Sequence, residues 1–165
     1  MRAALRTVLC AAALAALPPT AYAQQAFDKR INHWRVGSGS TCIAFNRPYR
    51  ELNASPFNAL TIILTKDGRW SFSVYFWPNA LKDDADTPLV FTFGERKDVK
   101  AHGKAFGGMA VLLANVGASF RDDFAKAENG ALVVRAEGVT YGLHFDISDI
   151  AAVFAALEDC AKTLR

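Results

Sequence analysis

Three cysteines, three histidines and several paired carboxylates are the side chains here that most invite chemistry. A nucleophilic or redox-active cysteine needs a lowered pKa, usually from a helix N-terminus or a Cys-x-x-Cys spacing. Cys42 and Cys160 lie far apart, and Cys160 falls near the C-terminal end of a predicted helix, where the dipole disfavours a thiolate. They suit instead one long-range disulfide formed in an oxidising compartment. Cys10 follows Leu9, where a lipidation signal has Gly or Ala, so no lipid anchor is expected.

Among His33, His102 and His144, the last is the best placed. It shares the polar side of a predicted strand with Thr140 and Asp146, near enough to Asp146 to hydrogen-bond or to share a metal. A single His–Asp pair is a weak ligand set, and no zinc-type Cys/His spacing accompanies it. No metal or cofactor is expected. Asp83-Asp84, Asp86 and Asp122-Asp123 read as a decorated loop and a solvated helix start, although carboxylate pairs also serve glycoside hydrolysis. There is no Gly-x-Ser-x-Gly elbow and no Ser-x-x-Lys. Gly37-Ser38-Gly39-Ser40-Thr41 is shaped like a phosphate loop but lacks its lysine and following helix. No catalytic residues are assigned.

Two sets of residues remain as a binding surface. Arg96, Lys97, Lys100 and Lys104, with His102 and glycines at 94, 103, 107 and 108, read as a mobile basic loop from Gly94 to Gly108. Such a loop suits an anionic partner, although Glu95 and Asp98 offset half its charge and a solvated loop is the plainer reading. Tyr75 and Trp77 form the second set, on the outer face of a predicted hairpin. Exposed there, they would mark a contact surface.

Periodicity supplies the elements that carry these groups. Gln24 to Arg30 reads as a loose lead-in, and Asn32 to Phe45 as two short strands around the glycine-serine turn. Arg47 to Pro56 is a loop. Ala59–Thr65 and Arg69–Trp77 flank Lys66-Asp67-Gly68 as a hairpin. Trp70, Phe72, Val74 and Phe76 alternate onto one face, which marks it as the core side, and Pro78-Asn79 ends the arm. Leu89–Phe93 is a strand, and Met109–Asn115 a strand or short buried segment. Ser119 is placed to cap a helix reaching about Lys126, ended by Asn129-Gly130. Ala131–Ala136 and Val139–Ile147 form a second hairpin across Glu137-Gly138. Ser148 or Asp149 caps a last helix to about Thr163. Its Ile150, Val153, Phe154, Leu157, Cys160 and Ala161 make one apolar stripe. The fold class is α+β: an antiparallel sheet with two packed helices, tied by Cys42–Cys160.

The chain's first residues complete the picture. Arg2 and Arg6 precede an apolar run from Thr7 to Leu17, then Pro18-Pro19-Thr20 and Ala21-Tyr22-Ala23. This is the pattern of an export signal cleaved after Ala23. Cleavage leaves 142 residues, 24–165, expected to form a single domain. They carry 17 basic and 16 acidic side chains, a balance that gives no field for nucleic acid or for stable membrane association. No apolar run after residue 23 approaches the roughly 20 residues of a spanning helix.

His33-Trp34-Arg35-Val36 ahead of Cys42, and the stretch from Phe124 to Cys160, resemble exported proteins of the invasion-associated locus B type. The second stretch carries Gly130-Ala131-Leu132-Val133-Val134, Leu143-His144-Phe145-Asp146-Ile147 and Ala155-Ala156-Leu157. That family often has a cysteine directly after its first strand, where this chain has Gly37-Ser38. The resemblance implies a periplasmic or secreted, disulfide-bearing, non-enzymatic protein, sometimes linked to host interaction. The expected function is an accessory or binding module for an envelope or host protein or a cell-wall polymer. The alternatives are a proteinaceous inhibitor of an extracytoplasmic hydrolase, using Arg47 to Pro56 or Gly94 to Gly108, and a small hydrolase built around His144 or His102.

Overall fold

The computed structural model describes residues 27–47, 58–77, 81–94, 97–127 and 130–164. The predicted export signal, most of the loop that follows Arg47, the Pro78-Asn79 stop, Arg96 and Asn129 lie outside these residues. Ten strands make one sheet: β1 (Asp28–Ile31), β2 (Trp34–Ser38), β3 (Cys42–Asn46), β4 (Ala59–Leu64), β5 (Trp70–Tyr75), β6 (Asp86–Phe93), β7 (Lys97–Phe106), β8 (Ala110–Leu113), β9 (Ala131–Ala136) and β10 (Leu143–Asp146). Their order is β1-β2-β3-β4-β5-β8-β7-β6-β9-β10, with every neighbouring pair antiparallel. Among the described residues there are also two helices, α1 (Ala118–Ala125) and α2 (Ile150–Ala161). The sheet dominates this antiparallel framework of strands with two helices.

The β4–β5 hairpin forms as its residues require. Trp70, Phe72, Val74 and Phe76 are all buried. The turn is a three-residue loop in which Gly68 takes φ +81° and donates its N–H to the Thr65 carbonyl at 3.0 Å. Gly68 alone takes the left-handed position, so Asp67 does not share it as a two-residue turn would demand.

The basic stretch is where expectation and structure part. Gly94, at φ +57°, turns the chain, and Lys97–Phe106 runs back along β6 as a ten-residue strand between β6 and β8. The mobile loop expected from Gly94 to Gly108 is a sheet strand. Beyond Val99 its inward residues, Ala101, Gly103 and Ala105, are small, which is why it carries little hydrophobic signature. At Gly103 a Cβ would come within 2.6 Å of a Val111 methyl and 2.8 Å of the Leu112 carbonyl. Close approach of β8 forbids a larger side chain there.

Smaller corrections have similar causes. Asp28–Ile31 belongs to the sheet rather than to a loose lead-in, because it pairs residue for residue with β2. Gly117, not Ser119, holds the N-cap position of α1, and no side chain caps that helix. Beyond the Glu137-Gly138 turn the return strand starts only at Leu143, leaving Val139 and Tyr141 before it. At α2 Asp149 stands at the N-cap, yet its carboxylate accepts a hydrogen bond from Asn32 instead of capping.

Both helices cover the same side of the sheet. Phe120 and Phe124 of α1 meet Phe72 of β5 and Phe91 of β6 at ring separations of 4.9–6.1 Å. On α2, Ile150, Val153, Leu157 and Cys160 are buried, and Phe154 sets its edge on Trp70 at 5.4 Å. The Cys42–Cys160 bridge, with Cα atoms 6.0 Å apart, ties β3 to α2 across 118 positions. The two ends of the sheet approach each other without joining in a ladder. Asn46 of β3 donates to the Asp146 carbonyl of β10 at 2.7 Å, and His33 lies 3.4 Å from the Asp146 carboxylate.

Candidate functional site

Of the residues expected to bind, Lys100, His102, Lys104, Tyr75 and Trp77 lie on the sheet side away from the helices, while Arg96 is outside the described residues. Period-two alternation along β7 puts Val99, Ala101, Gly103 and Ala105 toward the core and leaves Lys100, His102, Lys104 and Phe106 exposed in one line. Lys97 begins the same strand. Tyr75 of β5 shares this face: Ala110 of β8 lies between it and Phe106 in register, and the two rings meet edge to face at 6.2 Å. Trp77, two residues beyond Tyr75, is 38% exposed, and Phe106 is 41% exposed. The basic set and the aromatic set, separated in sequence, thus become one strip that is cationic at one end and aromatic at the other.

Neighbouring strands add groups that periodicity did not single out. Val90 of β6 stands opposite both Lys100 of β7 and Arg135 of β9, so two cations flank an apolar residue. Pro88, Val90, Lys100, His102, Arg135 and Glu137 surround a groove of about 480 Å³. Arg135 donates to the Thr92 hydroxyl at 3.3 Å, which donates to Asp98 at 2.6 Å. Asp86, opposite Lys104, lies 3.8 Å from His102 Nδ1. The outward positions of β9 include Val133 beside Arg135, so this strand shows no polar alternation that would single out the arginine. Arg135 becomes a site residue only once β9 is seen beside β6.

The tail of the strip is fixed from behind. Trp77 donates its backbone N–H to Asn58 at 2.6 Å, and its carbonyl accepts the Tyr141 hydroxyl at 2.7 Å. Tyr141, read from sequence as part of a strand, instead anchors this segment.

His144, weighed from sequence as a weak partner for Asp146, lies on β10 two residues before it, and His33 reaches that carboxylate from across the fold at 3.4 Å. Partial burial pushes the Asp146 carboxyl up. Hydrogen bonds from Ser148 and the nearby His33 outweigh this and hold it below the usual carboxylate value. Among the described residues, no three His, Cys, Asp or Glu side chains gather as a metal site requires. No helix among them is long and apolar enough to cross a membrane.

Neither a family model nor a curated protein matches the sequence. Among solved structures, invasion associated protein B from Bartonella henselae superposes with a TM-score of 0.59, covering 82% of this chain and 99% of that one. The two chains share a fold. At 12% identity the likeness is one of architecture, and it agrees with the resemblance carried by Trp34, Cys42 and the stretch ending at Cys160.

Proposed function

We propose that this chain is an exported, non-enzymatic binding module, periplasmic or secreted, that engages its partner through the outward strip of β7. The observation that carries the reading is the alignment of Lys100, His102, Lys104 and Phe106 on one exposed strand face, continued by Tyr75 and Trp77. A rigid strand presents these groups with little ordering cost on binding. Aromatic residues and cations are the side chains that anchor interfaces. The partner is an envelope or host protein, or a cell-wall polymer, that offers negative charge beside an apolar ridge. Nucleic acid and stable membrane insertion are not part of the reading.

The inhibitor alternative loses one of its two loops, since Gly94–Gly108 is largely strand. The test is a crosslinking capture from native envelope with residues 24–165 as bait, run beside Lys100→Glu/Lys104→Glu/Phe106→Ser. A partner retained by the wild-type chain and lost by the folded triple variant supports the strip. A partner captured equally by both overturns it.

A further inference from the structure

The same sheet side carries a second cationic site at its other end. On β2 and β3 the residues pointing away from the helices are Arg35, Gly37, Ile43 and Phe45, followed by Arg47. Arg30 of β1 stands directly opposite Arg35, and Arg35 directly opposite Phe45. Arg47 lies over the Phe45 ring, 5.7 Å from its centre. Asp28, Arg30, His33, Arg35, Phe45 and Arg47 line an open groove of about 590 Å³.

Among the described residues, charge here is unbalanced. Asp28 takes two hydrogen bonds from Arg35, at 3.2 and 2.9 Å, and no other carboxylate among the described residues pairs with Arg30 or Arg47. Like charges directly opposite on antiparallel strands weaken pairing; Arg30 donates one hydrogen bond to the Asn32 carbonyl at 3.4 Å and has no carboxylate partner among the described residues. Guanidinium groups match the planar oxygens of carboxylate and phosphate. A half-buried phenyl ring gives the apolar platform that a ring-shaped ligand needs, and the volume falls in the range of small-ligand sites.

We propose that this groove binds an acidic sugar whose carboxylate or phosphate draws Arg47 off the Phe45 ring and is held by Arg47 and Arg30, which frees the ring for the pyranose to stack on. Asp28 competes for Arg35 and tunes the site. The proposal stands apart from the β7 strip and does not depend on it.

The test is calorimetric titration of disulfide-bonded residues 24–165 with trigalacturonate, glucose 1-phosphate and neutral maltotriose. Saturable binding of an acidic probe without binding of maltotriose is the expected result. Carboxylate alone points to a uronic acid polymer, and phosphate alone to a phosphorylated sugar headgroup. Arg30→Gln/Arg47→Gln should weaken binding by about tenfold or more, as loss of a charge-assisted hydrogen bond implies. Asp28→Asn should tighten it. Lys100→Gln/Lys104→Gln, on the other site, should leave it unchanged. Failure of both acidic probes, equal binding of maltotriose, or unaltered affinity in the folded double-arginine variant would overturn the proposal.

Discussion

The two sides of β7 are made of different material. Toward the helices it offers Gly103 and Ala105, both buried, and β8 packs so closely on Gly103 that a single methyl there has no room. Away from the helices it offers lysines, a histidine and a phenylalanine open to solvent. The contrast extends over the whole sheet. One side is filled by the phenylalanine cluster of α1, the apolar stripe of α2 and the disulfide. The other carries two groups of cations beside aromatic rings. If the outward side is the binding side, as proposed, fold and recognition fall on opposite sides of the same strands, and a change on one side should leave the other's property intact.

The most severe test of this division empties the helix side. Phe124 is fully buried and touches Phe72, Phe91 and Phe93. Phe124→Ala should cost about 3–5 kcal/mol in urea denaturation, through lost transfer energy and the cavity left behind. Removing the bridge comes next. Cys42→Ala/Cys160→Ala should cost about 2–5 kcal/mol, mainly by freeing the unfolded chain across a long loop. Mass measurement after alkylation, with and without reductant, checks that the bridge forms: two free thiols before reduction would contradict it.

Gly103→Ala probes the division more finely, because it adds one methyl to the core side of a strand whose other side is untouched. It should destabilise by about 1–3 kcal/mol in the same denaturation, as overpacking does.

Acid should act through the clasp between the sheet ends. Asp146 has its carboxyl held low in the folded chain. A group of this kind adds stability above its unfolded pKa, and the contribution is lost as pH falls through the folded value. Thermal unfolding followed into acid should therefore show a decline below about pH 4, near the ordinary aspartate value, that Asp146→Asn makes shallower. The smallest effect on stability belongs to the outward side. Lys100→Gln/Lys104→Gln should shift unfolding by no more than about 0.5 kcal/mol while weakening capture of the partner. A large loss of stability in that variant would show that the two sides are not separable.

Much of the helix side was legible in the residues. Trp70, Phe72, Val74 and Phe76 announce their strand by alternation, and the α2 stripe announces its buried face by helical spacing. The outward side was legible as composition but not as shape. Lys100, His102 and Lys104 stood out as basic residues, yet the glycine and alanines between them concealed a strand, since small inward residues give no hydrophobic period. By sequence Arg30 and Arg47 belong to a lead-in and a loop start. Nothing in their own neighbourhoods reveals that the first brings a cation opposite Arg35 and the second carries one across the ring of Phe45.

The alternation of most strands, the closing amphipathic helix and the pairing of the two cysteines that remain after residue 23 all follow from the residues in order. Each of these depends on local periodicity or on elimination among few candidates. Which charged and aromatic residues become neighbours is a different matter, settled only when the chain folds. It rests on register and strand order: β8 brings Phe106 to Tyr75, β6 brings Arg135 toward Lys100, and β2 brings Arg30 toward Phe45. Such contacts join residues far apart in the chain, and the close packing of the helix side fixes them.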